Sequence, residues 1–585
     1  MTVKRKTRND WTGKAIKIIF VILVLIPIIF LSSGIIQIQR AIGIFNKRYT
    51  DDCAITLDEF MDSDPERCKE YVEKYEQIHE LYHIPFNLTG DGWDYYIPSD
   101  IVYYFNPANY PNVVNGSTYL EECDYRDTEH PLNTVGHYTN LEHAEVGGGY
   151  YGVGEALRYA IAQRERNQTA IDSATEMLLK IVKGYSILSE FTEDGSMVRY
   201  IAPNTTKGKQ YISNHLFQES YSGPHNRFSI TAEKFGKEYT FYAVTGTSVD
   251  CYHAVYGALG FIYLMCNNTE IRSIVRNTID RMLTFHVNVG WRFQDHDGKS
   301  HSMGAEAIQG SPAVDSMYVL TFLRVGKTVH PEKWGALYDK YAYNRMFLNK
   351  CGKHMNLKIQ MLFVWGPSYF NVNLPVSLAG MLTFLEDDPQ LKRYYQIHFL
   401  EVCHDITKYH RNAWFDVLYY LGMSEVDYQN YNSIISIPDN ENIDDYWESY
   451  VDKCVGDTLT RMTYTKFPYR CWYHAYSMES YDSNPNFSPV PGASYPEQEY
   501  WYWEEDPEVP AENWAVKLVT QAFSPIRLYP KAVPMDWRDT DGWVYAASPF
   551  LRYGGQGNGN RQPIAAVYTV PYWIARYLDL PCVSI

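Results

Sequence analysis

Residues 250–265 read DCYHAVYGALGFIYLM, and after the break at Asn267, Asn268 and Thr269, residues 270–287 read EIRSIVRNTIDRMLTFHV. Two long apolar stretches at helical spacing, joined by a few polar residues, predict a helical hairpin. The same pairing recurs along the chain. Upstream, Tyr150 to about Arg166 and Thr169 to about Leu188 form a pair, with Val153, Ala156, Leu157, Ala160 and Ile161 repeating near 3.6. Downstream, a pair opens at Ser311-Pro312 and resumes near Glu332. Another runs from Asn373 to Leu385 and from Pro389 to Tyr409, turning at Asp387 and Asp388. A fifth opens at Asn412, and Ile564 to Leu578 is again apolar, with Pro571 expected to kink it. Successive hairpins without dominant strand alternation predict a mainly α chain, an (α/α)6-type toroid with short β segments. A stacked solenoid is the alternative, but the units share no fixed repeat length.

The chain has 585 residues, 45% hydrophobic and 21% charged, enough to bury a large core. Its net charge is −17, and beyond the first 48 residues 43 Lys/Arg face 68 Asp/Glu. So acidic a body argues against a nucleic-acid partner, which requires a basic field. Aromatics reach 16%, with 52 Tyr and 14 Trp, which fits a large aromatic core or a cleft whose rings stack on sugars.

Residues 18–36 are apolar apart from Ser32 and Ser33, and Lys4, Arg5, Lys6, Arg8, Lys14 and Lys17 precede them. Nineteen such residues just span a bilayer core of about 30 Å, and the basic flank places the N-terminus on the cytoplasmic side. The expectation is a basic tail (1–17), a signal anchor (18–36), a stalk with an N-terminal extension (37–125) and a helical ectodomain (126–585). A cleaved signal peptide is the competing reading. In either case the body is exported, as a single-pass type II protein facing the outside or a lumen if the anchor stays. Ten cysteines, all beyond the apolar segment, allow up to five disulfides. Sequons at Asn87, Asn115, Asn167, Asn204, Asn267 and Asn486 predict a glycoprotein.

Asp250, Asp315, Asn373 and Asn412 stand at the heads of apolar helices, where plain N-capping is one explanation. In a toroid those heads share a rim, so the rim is the expected site. Glycoside hydrolysis needs two carboxyls, one protonated for the leaving group and one to activate water or attack carbon. Asp250, with His253 one turn on, leads the candidates, and Asp315 is its equivalent on the next hairpin. Glu142 and Glu145 precede Gly147, Gly148 and Gly149, a run that would let backbone approach a ligand. Glu155 lies inside the first helix, where burial would raise its pKa as an acid requires.

Gly152 to Ala160 with Glu155 and Arg158, Met197-Val198-Arg199-Tyr200, Thr247-Ser248-Val249-Asp250 before Tyr252-His253, Ser548-Pro549-Phe550, and Tyr572 to Tyr577 resemble segments of the six-hairpin glycosidase superfamily. The resemblance covers about residues 130–585 and implies the toroid and a carbohydrate substrate. Its motifs are mostly packing, so it speaks for fold more than chemistry. A uronate lyase or epimerase is the alternative activity, with Asn214, His215, Tyr221, His225 and Arg227 as base and carboxylate neutraliser. Asp536, Trp537 and Arg538 would line the same mouth, Trp537 for stacking and Arg538 as a clamp. A surface protein that binds glycan without catalysis is the third reading. No cofactor and no metal are expected: Asp295-His296-Asp297-Gly298 lacks the later acid of a calcium loop, and His137 and His143 do not fit a zinc pair.

Overall fold

The computed structural model describes residues 54–84, 98–103, 135–139, 141–192, 194–203, 227–234, 237–292, 312–344, 369–423, 445–464, 501–502, 527–528, 531–532, 534–535, 549 and 561–585. The chain divides into two compact units. The smaller comprises Met1–Ala54 and Gln498–Pro530, and its described elements are two strands, β6 (Trp501–Tyr502) and β7 (Arg527–Leu528), paired antiparallel. The larger, Ile55–Glu497 with Lys531–Ile585, is mainly helical and holds every feature discussed below.

In chain order its helices are α1 (Pro65–Ile78), α2 (Ala144–Glu165), α3 (Gln168–Glu190), α4 (Val249–Met265), α5 (Thr269–Asn288), α6 (Pro312–Val329), α7 (Pro331–Ala342), α8 (Tyr369–Leu385), α9 (Pro389–Tyr395), α10 (Glu401–Thr407), α11 (Ala413–Gly422), α12 (Asp445–Tyr464) and α13 (Ala566–Tyr577). A π-turn, Gln396–Leu400, joins α9 to α10. Short connections force consecutive helices into antiparallel pairs. Only Arg166 and Asn167 separate α2 from α3, and only His330 separates α6 from α7. The turns carry their own caps: Asn167 accepts from the Ala170 amide at 3.1 Å, Asn268 from Glu270 at 3.0 Å, and Asp388 from Gln390 at 3.0 Å.

The members of each pair differ in how they are covered. Helix α4 is buried on every side from Val249 to Ile262, as is α2 from Ala144 to Leu157. Its partner α5 buries one stripe, Ile271, Val275, Ile279, Met282 and Leu283, at helical spacing. A helix apolar all round must lie inside the body, and a one-striped helix outside it. Helix α2 packs on α4 and α13, α4 on α6, α6 on α8, α8 on α11, and α11 on α13. Helix α1 packs on α12 and α13. Two small antiparallel sheets flank the helices. One orders β2 (Val135–Thr139), β1 (Asp100–Tyr103) and β8 (Arg561–Gln562); the other orders β3 (Tyr200–Pro203), β5 (Lys237–Val244) and β4 (Arg227–Lys234).

Several expectations shift. Helix α2 starts at Ala144 rather than Tyr150, so Gly147–Gly149 lie within it. Helix α8 starts at Tyr369, which places Asn373 one turn inside. Helix α1 falls in the stretch read as a stalk and an extension packed on the body, and lies in the same compact unit as the other helices. Helix α13 continues through Pro571. Among the described residues Cys68, Cys251, Cys266, Cys403, Cys454 and Cys582 are buried thiols with no disulfide among them; Cys53, Cys123, Cys351 and Cys471 lie outside the described residues. Among the described residues no helix is long and apolar enough to cross a membrane, and residues 18–36 lie outside them.

Candidate active site

The heads of α2 and α4 are held together from one turn below. A Cβ on Gly149 would sit 2.5 Å from the Ala254 backbone, so only glycine permits this approach. Gly149 is one turn past Glu145 and Ala254 one turn past Asp250, so the contact sets the first turns of both helices side by side. The glycine run therefore serves helix packing rather than a ligand: Gly148 meets Pro98 and Tyr185, and Gly147 meets Ile564.

Neither carboxylate is spent as a cap. Ser248 is the N-cap of α4 and makes no side-chain cap bond, and Asp250 stands in the first turn. Its Oδ2 lies 3.9 Å from His143 Nδ1, and it is 8% exposed. Glu145, in the first turn of α2, is buried. Its oxygens meet no nitrogen or hydroxyl donor among the described residues; the Cys251 thiol is its hydrogen-bond partner, and Arg199 acts on it by charge. Burial pushes its carboxyl up to about 8, against the pull of Arg199; Asp250 adds to the rise. Arg199 is itself buried, with Nη1 donating to the Gly246 carbonyl at 2.7 Å.

Beyond Asp250 a polar group runs inward. His253 Nε2 lies 2.9 Å from Ser377 Oγ, and burial pushes the ring down to about 3 although Asp250 pulls the other way. Asn373 Nδ2 donates to the Tyr150 hydroxyl at 3.0 Å, and Tyr150 lies 3.3 Å from Ser377 Oγ. Trp414 packs on Tyr150 with ring centroids 4.6 Å apart. Asp315 is buried in the first turn of α6, and with Asp250 it raises the pKa of the buried Tyr318 hydroxyl beyond what burial does.

The expected residues thus separate into groups. Asp250, Glu145 and His253 come together, and Asp315 joins them through Tyr318. Glu155 does not. Ten residues along α2 from Glu145, about 15 Å of helix rise, it binds Arg158 at 2.8 Å. Arg158 in turn reaches Glu76 of α1 at 3.5 Å, and Trp573 of α13 donates to Glu76 at 2.5 Å. Burial does raise Glu155, with Arg158 opposing, but the residue seals the α1–α2–α13 seam. Of the four helix heads, Asn412 is a cap, accepting from the Trp414 amide at 3.2 Å. Asn214, His215, Tyr221, His225, Asp536, Trp537 and Arg538 lie outside the described residues, as do the side chains of Arg227 and Glu142. So do Asn87, Asn115, Asn204 and Asn486; Asn167 and Asn267 are exposed.

His143, Arg199, Tyr150, Tyr318 and Ser377 complete the group without having been singled out as candidates for it, and Asn373, one of the expected rim residues, joins them. One signal was available for the rings: an acid followed three residues later by a polar ring, Asp250 to His253 and Asp315 to Tyr318, at the heads of successive helices. The arrangement offers proton transfer, from a carboxyl that keeps its proton near neutral pH beside a second carboxyl. No family model, curated protein or solved structure matches this chain.

Proposed function

We propose that this chain is a membrane-anchored glycoside hydrolase of the six-hairpin kind, with Glu145 as general acid and Asp250 as its partner carboxylate. The observation that carries the reading is that pair: two carboxyls in adjacent helix first turns, one kept protonated by burial. Glycosidic cleavage needs such a division of roles. Glu145 gives its proton to the leaving oxygen as the bond to the anomeric carbon breaks. Asp250 takes a proton from the attacking water, or attacks first and is released by water. In either course one water is added across the bond.

The packing relations support a closed (α/α)6 toroid. Helices α2, α4, α6, α8, α11 and α13 would form the inner ring, because each packs on the next and α13 returns to α2. Helices α3, α5, α7, the α9–α10 run, α12 and α1 would form the outer one. The same proposal takes residues 18–36 as the anchor, the body as exported, and the exposed Asn167 and Asn267 as glycan acceptors. Both asparagines use Oδ1 in hydrogen bonds, which leaves the amide nitrogen available to a glycan.

Mass spectrometry of neutral and uronate-containing oligosaccharides incubated with the protein tests the activity. Products that have gained water, and that vanish in Glu145→Gln and Asp250→Asn, support it. Fragments that lack the water point to a lyase, and saturable binding without product to a glycan-binding protein.

A further inference from the structure

We propose that Glu76, Glu155 and Arg158 form a proton-held clasp on α1. Two carboxyls share one guanidinium and one proton there, and rising pH removes the proton and loosens the helix. Nothing in the clasp depends on the glycosidase reading.

The charges at this seam do not balance. Arg158 donates to Glu155 Oε2 from Nη2 at 2.8 Å and from Nε at 3.1 Å, and its Nη1 lies 3.5 Å from Glu76 Oε2. Trp573 donates to the other Glu76 oxygen at 2.5 Å. The Glu155 side chain is fully covered and that of Glu76 is 12% exposed, so little water reaches either. Ionised together, the two carboxyls would leave one negative charge uncompensated in the seam, and a buried site sheds such a charge by keeping a proton.

The neighbours on every side leave that count unchanged. On α3, Lys180 lies 2.9 Å from Glu176 and 3.7 Å from Glu80, and Ser173 accepts from Arg158 at 3.5 Å. On α13, Arg576 lies 2.6 Å from Glu165, and burial raises the Tyr572 hydroxyl. On α2, Tyr151 hydrogen-bonds to Glu155 and stacks on His79 with ring centroids 4.0 Å apart. His79, just past α1, is pushed well below the usual histidine range by burial, so it brings no charge. Glu73 of α1 adds to the rise of Glu76, and Glu80 to that of Glu155. Burial pushes Glu76 up to about 7, against the pull of Arg158, and Glu155 adds to the rise.

Proton loss bears on α1 because Glu76 ties it to both neighbours, to α2 through Arg158 and to α13 through Trp573. An unperturbed glutamate releases its proton near 4.5, whereas the folded seam keeps one to about 7. The clasp therefore contributes most below 4.5, and its contribution is lost as pH rises through about 7. The far end of α1 meets the head of α13, where Tyr75 donates to the Pro563 carbonyl at 2.9 Å and the Ala565 amide to His79 at 3.3 Å. Slack in α1 is thus passed to α13.

Hydrogen exchange read by mass spectrometry on the full chain tests the clasp, with rates corrected for intrinsic exchange. Protection of the α1 amides should fall about tenfold between about pH 6 and pH 8. Glu76→Gln should hold it level, whereas Glu145→Gln should leave the fall in place. Circular dichroism checks that each variant folds. If Glu76→Gln does not, Trp573 decides in the otherwise native chain. Labelled as 5-fluorotryptophan and assigned by the line lost in Trp573→Phe, its fluorine resonance should shift with a midpoint near 7. Level α1 protection in the wild type, a fall that persists in Glu76→Gln or vanishes in Glu145→Gln, or a Trp573 line that stays in place overturns the clasp.

Discussion

Gly149 and Ala254 bring two helices so close that a Cβ on the glycine would lie 2.5 Å from the Ala254 carbonyl carbon and oxygen. Backbone cannot yield as the end of a side chain can. Gly149→Ala should destabilise the protein by about 1–3 kcal/mol and also lower turnover, since the Glu145 and Asp250 turns stand directly above the contact. Gly335→Ala is the control: on α7 its Cβ would meet only Lys327 at 3.9 Å, and the better helix propensity should add up to about 1 kcal/mol. Urea unfolding of the two variants should give opposite signs.

Glu145 should make stability fall with pH. The folded chain holds its proton to about 8, whereas an unperturbed glutamate releases it near 4.5. The unfolded state binds fewer protons between those values, so its contribution is greatest below 4.5 and declines until about 8. Glu145→Gln should flatten that slope, by an amount bounded at about 1.4 kcal/mol per pKa unit. In activity, the wild type should lose kcat/KM above about 8 as the acid deprotonates. A variant that keeps both the slope and the turnover removes Glu145 from the mechanism.

Asp250→Asn keeps the shape of the side chain and removes its basicity. Turnover should drop by about 10²–10⁴, the usual worth of a positioned acid or base. The thermal melt should change little, because Asp250 caps no helix and its contact with His143 is 3.9 Å long. An active, folded variant would shift attention to Asp315.

Asp457 is a structural carboxylate by contrast. Burial works to raise it, but Arg411 at 2.8 Å, Arg461 at 2.6 Å and the Met61 amide at 3.0 Å hold it below the usual range. Asp457→Ala leaves two buried guanidinium groups without that partner and should cost about 3–5 kcal/mol. Turnover at low temperature should survive wherever the protein stays folded.

The six buried thiols should be inert in the folded protein, because burial raises each pKa and excludes reagent. Ellman's reagent should leave them untouched in buffer and count at least six in guanidinium without reductant. Fewer than six would place some of them in bridges.

The pairing of apolar segments was legible because full burial of α4 leaves few polar interruptions between Val249 and Met265. The start of α2 was not: three successive glycines oppose helix formation locally, and only packing on α4 and Pro98 overrides that. Asp250 and His253 could be named together because they share one helix turn. His143, Arg199 and Ser377 join them from distant segments, and no local spacing encodes such a meeting. The surroundings of Glu155 were only partly legible for a related reason: its burial and the nearby Arg158 can be read from α2 itself, but the link through Arg158 to Glu76 depends on α1, a distant segment.

The first helix of the body is completed by the last. Tyr75 of α1 donates to the Pro563 carbonyl across 488 residues, at 2.9 Å. At 5–20 residues per second, ribosomal synthesis separates those two groups by about 25 to 100 s. Through that interval α1 has been made while α13, on which it packs, has not. Its buried face, Cys68, Val72, Tyr75 and Ile78, must then wait in the nascent chain without its final cover. Full docking of α1 therefore waits for residue 563, and a stop codon ahead of it would leave α1 with α12 to pack on but without α13.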